Sequence, residues 1–353
     1  MIARVCANGM YSEYFECPNG VKQGCLLSPM MFSFFINKLA LELSRKGKHG
    51  IQMIPGPVEI FLLLFADNLI LLSGTVKGLQ NQLKSIHEEA DGLGLTVNMD
   101  KTNIMVIRMG RHLSANEKWF YGNSEIKVVN SYRYLGMIFS TKLSFNYAWN
   151  ESCRKGKRGV IEILKSLRKL GSIDYYLFWK MFDVQIEPII TYGAEIWGLN
   201  INSQMEKVHT YAMKRFLNVA IHSSNTVLYG DMGRYPLYIR TFVKSIKYWL
   251  KLMKLPNSRL CKQAYNMMLL QMEYGKENWA YKVKKVLTEH GFGFVWLSQG
   301  VGNDQQFVAE FKDRLVCSFK QNWHSDMESK DKYSWFFSFK SVFQTTKIHY
   351  SYY

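Results

Sequence analysis

The chain has 353 residues, 48% hydrophobic and 15% aromatic, enough apolar mass for one or two buried cores, which excludes a disordered tail. Lysine and arginine outnumber aspartate and glutamate by 45 to 28, a formal charge of +17 that points to a polyanionic partner, with nucleic acid favoured over an anionic membrane. The six cysteines (Cys6, Cys17, Cys25, Cys153, Cys261 and Cys317) are widely spaced without a CxxC pair, so reduced structural thiols in an intracellular, nuclear or cytoplasmic, protein are expected.

The first residues, MIARVCANGMYSEYF, lack the continuous apolar run of a signal peptide. In PNGVKQGCLLSPMMFSFFINKLA, a glycine-punctuated loop passes into a helix at Ser28, a candidate cap, with Pro29 at the first helical position. The run FLLLFADNLILLS then carries two apolar halves, Ile60 to Phe65 and Leu69 to Leu72, around Asp67 and Asn68. Too short and too polar at its centre to span a membrane, it predicts a buried β-hairpin with Asp67 at the tip. A buried helix is the rival reading, weakened because Asp and Asn favour turns.

Val76, Leu79, Leu83, Ile86, Ala90 and Leu93 recur at helical spacing and stop at Gly92 and Gly94. A strand is predicted over Ile104 to Ile107, and another over Ser131 to Ser140 with Gly136 as bulge or turn. Helical periodicity dominates from about residue 150, beginning with the basic ESCRKGKRGVIEILKSLRKLG. In PLYIRTFVKSIKYWLKLMKLP, Ile239, Phe242, Val243, Ile246, Trp249, Leu250 and Met253 form an apolar stripe, and Lys244, Lys247, Lys251 and Lys254 a basic one. That basic stripe reads either as a solvated face or as a row of phosphate contacts. Phe307, Phe311, Leu315 and Phe319 continue the helical pattern. The fold class is α+β over residues 1–140, then mainly α-helical over 141–353.

Three segments in order, GVKQGCLLSP (Gly20 to Pro29), FADN (Phe65 to Asn68) and GLTVNMDKT (Gly94 to Thr102), resemble successive motifs of the reverse transcriptases of LINE-type non-LTR retrotransposons. YLG at Tyr134 to Gly136 fits the segment that follows the palm in that family. PIITYGAEIWG (Pro188 to Gly198) and NVAIHSSNTVLYGDMGRYPL (Asn218 to Leu237) look similar to its post-polymerase region. The resemblance implies an incomplete polymerase palm, helices on an antiparallel sheet with a catalytic β-hairpin, followed by a thumb-like helical region. It implies RNA and DNA as partners, dNTP as substrate, Mg²⁺ as cofactor and no membrane. It makes Asp67 a ligand to both metals, places Gln23 and Gly24 at the nucleotide and template pocket and Phe65 near the primer end, and makes Lys101 a proton donor to pyrophosphate.

Two departures bear on activity. Where the family has a second Asp, this chain has Asn68, which offers a carbonyl oxygen but no charge. The family's other metal-binding Asp lies upstream of the loop at Gly20, and the residues before Gly20 contain no Asp. A lone carboxylate does not hold two dications, so the expectation is a chain without polymerase activity, with exposed sheet edges and poor solubility. The expected function is a reverse-transcriptase-derived fragment, ancestrally an RNA-directed DNA polymerase. A non-catalytic RNA- or DNA-binding protein and an unselected retroelement relic stand as alternatives.

Overall fold

The computed structural model describes residues 2–17, 20–22, 24–46, 49–53, 58–108, 114, 117–171, 173–201, 203–330 and 333–339. They fall into two compact units, Met1–Ile104 with Met109–Val129, and Met105–Arg108 with Asn130–Tyr353.

In the first unit, β1 (Ile2–Ala3) pairs antiparallel with β4 (Phe15–Glu16) around the inner pair β2 (Cys6–Ala7) and β3 (Met10–Tyr11). Helix α1 (Ser28–Arg45) follows, with Pro29 in its first turn. Ser28 lies inside the helix rather than capping it: the cap is Leu27, and the Ser28 hydroxyl donates instead to Lys22 O at 2.6 Å, closing the loop before the helix. Next come the pair β5 (Ile51–Gln52) and β6 (Glu59–Ile60), the hairpin β7 (Leu62–Phe65) and β8 (Asn68–Leu71), and α2 (Val76–Gly92). The Thr75 hydroxyl caps α2 by accepting from Gly78 N at 3.0 Å. The strand predicted over Ile104 to Ile107 is instead β9 (Asn103–Ile104), whose ladder covers two residues. The pair β10 (Phe120–Tyr121) and β11 (Ser124–Glu125) precedes the partner of β9, β12 (Lys127–Val128), which runs parallel to it. The unit is thus α+β, with two-stranded ladders in place of one continuous sheet among the described residues.

Its core is small. Leu39 and Leu43 of α1 and Ile86 of α2 close on Phe61, Leu62, Leu69 and Leu71. The hairpin is therefore half-buried on one face, a correction to the buried hairpin expected from its apolar runs: alternation turns Leu62, Leu69 and Leu71 to the core and leaves Leu63 37% and Phe65 59% exposed.

The second unit opens on a hairpin, β13 (Ser131–Tyr134) and β14 (Met137–Ser140), whose two-residue turn holds Leu135 and Gly136 at φ +47° and +83°. Gly136 is thus the turn that the sequence allowed. The helices are α3 (Asn146–Lys169), α4 (Tyr175–Met181), α5 (Glu187–Ile190), α6 (Ala194–Trp197), α7 (Ser203–Phe216), α8 (Asn225–Met232), α9 (Leu237–Met253), α10 (Leu260–Glu273), α11 (Trp279–Glu289), α12 (Gly293–Ser298), α13 (Asp304–Ser329) and α14 (Ser334–Phe339). Between α4 and α5 a π-helical turn spans Phe182–Ile186. Pro188 has no N–H to give the Val184 carbonyl, which explains the widened ladder just before it.

Two adjoining cores fill this unit. One gathers Val160, Leu164, Phe178, Phe182, Ile186, Val208, Met213 and Trp323; the other gathers Ile246, Trp249, Tyr265, Val283, Leu287 and Phe311. α3 approaches α5 closely at Gly156, where a Cβ would stand 2.7 Å from Ile190 Cγ2. The apolar stripe of α9 is buried as its spacing requires.

The two segments without evident chemistry in the sequence are structural hubs. The Tyr192 hydroxyl donates to Leu135 O at 2.7 Å and its ring lies against Gly136, so TYG clamps the YLG turn. Short helix α6 is tied to α9, whose Thr241 and Ser245 hydroxyls donate to Gly198 O at 2.9 Å and Ala194 O at 2.8 Å. Downstream, Glu206 of α7 accepts from Tyr229 of α8 and from Leu237 N of α9, and its Oε1 lies 3.0 Å from Nδ1 of buried His209. Arg234 forks onto Asp183 and lies over the Trp179 ring at 4.2 Å. Burial would raise the Asp183 carboxyl, but the hydrogen bond and charge of Arg234, with the charge of Arg240, hold it below its ordinary value.

Candidate functional site

Asp67 sits in the two-residue turn Ala66–Asp67 that joins β7 to β8, with Phe65 and Asn68 paired across it. The tip is exposed, and Ala66 takes φ +50°, a left-handed conformation that ordinarily selects glycine. The Asp67 side chain stands in solvent at the end of the apolar ladder. Its hydrogen-bond partner is its neighbour: Asn68 Nδ2 donates to Asp67 Oδ1 at 3.2 Å. Phe65 projects from the outward face of the same hairpin.

Gly24 lies in the loop before α1 at φ +80°, with no protein atom within 4 Å of where a Cβ would stand, so the backbone conformation and not crowding calls for glycine there. Beside it, the Leu27 N–H and then Ser28 hold the Cys25 thiol below its ordinary value. Gln23 lies outside the described residues. Lys101 ends a short 3₁₀ turn, Met99–Lys101, where its N–H reaches Asn98 Oδ1 at 3.2 Å. The hairpin places Phe65 and Asp67 together, and Gly24 and Lys101 come from separate loops of the same unit.

Two dications about 4 Å apart repel strongly and are held by several bridging anions. The hairpin tip supplies one carboxylate and a neutral amide whose N–H end faces it. Among the described residues no three His, Cys, Asp or Glu side chains converge. By themselves these residues do not fit a two-metal centre.

The second unit carries the basic surfaces, and it reorders the one read from spacing in α9. Lys244 is turned inward, its Nζ donating to Thr191 Oγ1 at 2.7 Å and its pKa lowered by burial. Lys254 pairs with Asp304 at 2.6 Å. Lys247 and Lys251 are exposed and, among the described residues, have no carboxylate within 4.0 Å.

On α3 the balance differs, with seven Lys or Arg against two Glu. At 3.6 residues per turn, Lys157, Arg168, Arg154, Lys165, Arg158 and Lys169 fall within about 120° of arc, over roughly 22 Å from Arg154 to Lys169. The two glutamates sit at one edge of this sector, where Glu162 holds Lys165 at 2.9 Å and Glu151 binds Arg133 and Lys155. Arg154, Arg158, Arg168 and Lys169 are exposed and have no carboxylate within 4.0 Å among the described residues. The sequence showed this charge as a basic run; which cations stay unpaired depends on tertiary contacts.

Among the described residues no helix is long and apolar enough to cross a membrane. Residues 2–139 match the family model for reverse transcriptase (RNA-dependent DNA polymerase). The chain is 30% identical over 236 residues to a Pol polyprotein from the type-1 retrotransposable element R2 of Popillia japonica, covering 64% of this chain and 37% of that protein. It is 30% identical over 140 residues to the Pol polyprotein of the type-2 element R2DM of Drosophila melanogaster, covering 38% and 13% of the two. A transposon-derived protein of Caenorhabditis elegans is 23% identical over 166 residues, covering 45% of this chain and 57% of its own length. The chain thus spans little more than a third of the first of these relatives. Polymerases of this family generally use divalent metal ions and act on nucleic acid, which sharpens the contrast at the hairpin tip. Ordered motifs, matched domain and Pol relatives agree that this chain carries part of a reverse-transcriptase domain and is related to the Pol proteins of R2-type non-LTR retrotransposons.

Proposed function

We propose that this chain binds RNA or DNA through its phosphate backbone and does not polymerise by itself. The observation that carries the reading is the α3 sector, in which four cations are exposed and unpaired beside two more. A basic helix face of that length meets several consecutive phosphates, and releasing their counterions drives binding. The work of such a chain lies where RNA and DNA are, in the nucleus or cytoplasm. The ancestral site takes Mg²⁺ at Asp67, with Gln23 and Gly24 at template and nucleotide, Phe65 at the primer end and Lys101 at pyrophosphate. Asn68 in place of a second carboxylate removes the charge that such a site needs.

Fluorescence anisotropy with a labelled single-stranded RNA, titrated at rising salt, tests the binding. Replacing Arg154, Arg158 and Lys169 together by alanine is expected to flatten the slope of log K against log salt by about 2, at roughly 0.7 per lost phosphate contact on a single strand. Affinity that does not fall with salt overturns the reading. For the second half, primer extension on an RNA template with dNTPs and Mg²⁺ is expected to give no product above an Asp67→Ala control.

A further inference from the structure

Beside the α3 sector, the end of α7 and the loop after it enclose a recess of about 210 Å³ lined by Tyr211, Lys214, Arg215, Val219, Ala220 and Ile221. Asn218, at φ +53°, turns the chain back to make its wall, and Lys214 fastens that wall by donating from Nζ to Ile221 O at 2.8 Å. Val219 and Ile221 stay 42% and 63% exposed. Two cations lie over the aromatic ring: Arg215 stands 5.2 Å and Lys157 of α3 5.8 Å from the Tyr211 ring centroid. An apolar recess beside an aromatic ring, ringed by positive charge and continuous through Lys157 with the α3 row, has the composition that receives a flat π-system attached to an anion.

We infer that this recess takes a single unpaired nucleobase, seated on Val219 and Ile221 against the edge of the Tyr211 ring and the Arg215 guanidinium that covers it, while the neighbouring phosphates lie on Lys157 and the α3 arginines. The inference rests on the nucleic-acid reading above and adds to it a preference for single strands over duplex, because a paired base cannot leave its stack without cost. An acidic peptide is the competing occupant, served by the same charges but with no use for the ring.

The test compares a single-stranded RNA of about a dozen nucleotides with a duplex of equal length, using wild type, Tyr211→Phe, Tyr211→Leu and the triple α3 variant. Tyr211 also packs on the unit's core, and leucine keeps most of that apolar bulk. Tyr211→Leu is expected to weaken single-strand binding roughly five- to hundredfold with little change in salt slope, to leave duplex binding within about twofold, and to be rescued by phenylalanine. Equal losses on both nucleic acids, no loss on either, or a Tyr211-dependent gain only for an acidic peptide overturns the base pocket. A flat salt response of the wild type overturns the underlying reading as well, so the two failures are distinct.

Discussion

Glu206→Gln tests whether the hub that joins α7, α8 and α9 holds the second unit together. The carboxylate receives the Tyr229 hydroxyl and the Leu237 N–H at 2.9 Å, and meets the His209 ring at 3.0 Å. Its side chain is 24% exposed, so water screens it only in part. Hydrogen bonds to a charged group contribute about 1.5–3 kcal/mol and neutral ones about 0.5–1.5, so neutralising the acceptor of three costs roughly 3 kcal/mol. Relief from burying the charge offsets about 1 of that, leaving a loss near 2 kcal/mol. For a unit of this size that corresponds to a melting temperature lower by roughly 4–8 °C. Urea unfolding followed by tryptophan emission reports it, because Trp179 and Trp197 lie in the same core. Tyr229→Phe removes one donor from the same group, and the double variant is expected to lose less than the sum of the two. A loss below about 0.5 kcal/mol for Glu206→Gln, or strict additivity, refutes the network.

Burial is the largest influence on His209, and with the Arg234 charge it outweighs Glu206 and Asp183 to push the imidazole below its ordinary value of 6.5. The folded state therefore takes up a proton less readily than the unfolded one: stability is full above about pH 6.5 and falls as the pH drops below it, whereas the Asp183 contribution is lost only below about 3.8. A flat stability curve between about pH 7 and 5 contradicts the burial of a neutral ring. Ala66→Gly removes a left-handed alanine costing about 1–2 kcal/mol at the price of glycine's extra chain entropy of about 0.5–1, so hydrogen exchange at the β7–β8 amides is expected to slow severalfold, and faster exchange argues against strain at that turn. Cys153 is buried and its thiol is pushed up to about 11, while Cys6, Cys261 and Cys317 are exposed. A thiol reagent at neutral pH is expected to label those three rapidly and Cys153 only on unfolding, by mass spectrometry of the labelled peptides.

Local chemistry was legible along the chain. The hairpin and its tip follow from two apolar runs around turn residues, and α2 from its apolar spacing and glycine stop, while its Thr75 cap emerged only from the structure. Ser28 shows where that reading runs out: a serine before a proline has the composition of a cap, yet its hydroxyl finds Lys22 O six residues back. The same limit applies to charge. Lys244 and Lys254 occupy helical spacing as regular as that of Arg154 and Arg158, but Thr191 draws Lys244 inward and Asp304 pairs with the exposed Lys254, both more than forty residues away. Spacing places a cation on a face of its helix, and only the fold decides whether that face meets solvent.

The hairpin tip and the helical unit separate two parts of what a polymerase needs. Holding a phosphate backbone takes cations that are exposed and unpaired, and a single helix with the charge balance of α3 presents them without help from the rest of the fold. A two-metal centre takes several carboxylates converging from different strands, whereas this hairpin tip presents Asp67 beside a neutral Asn68, whose amide donates to that carboxylate. The apolar ladder still lifts Asp67 into solvent at the expense of a strained Ala66. Substituting aspartate for Asn68 would put a second carboxylate beside the first, and the repulsion between them, unanswered by any third acidic group among the described residues, is expected to loosen the tip unless a divalent ion is present. Exchange at the hairpin amides of Asn68→Asp, measured with and without Mg²⁺, separates the cases: faster exchange reversed by the ion shows that geometry survives where charge was lost, and faster exchange that the ion leaves unchanged shows that the tip has lost both.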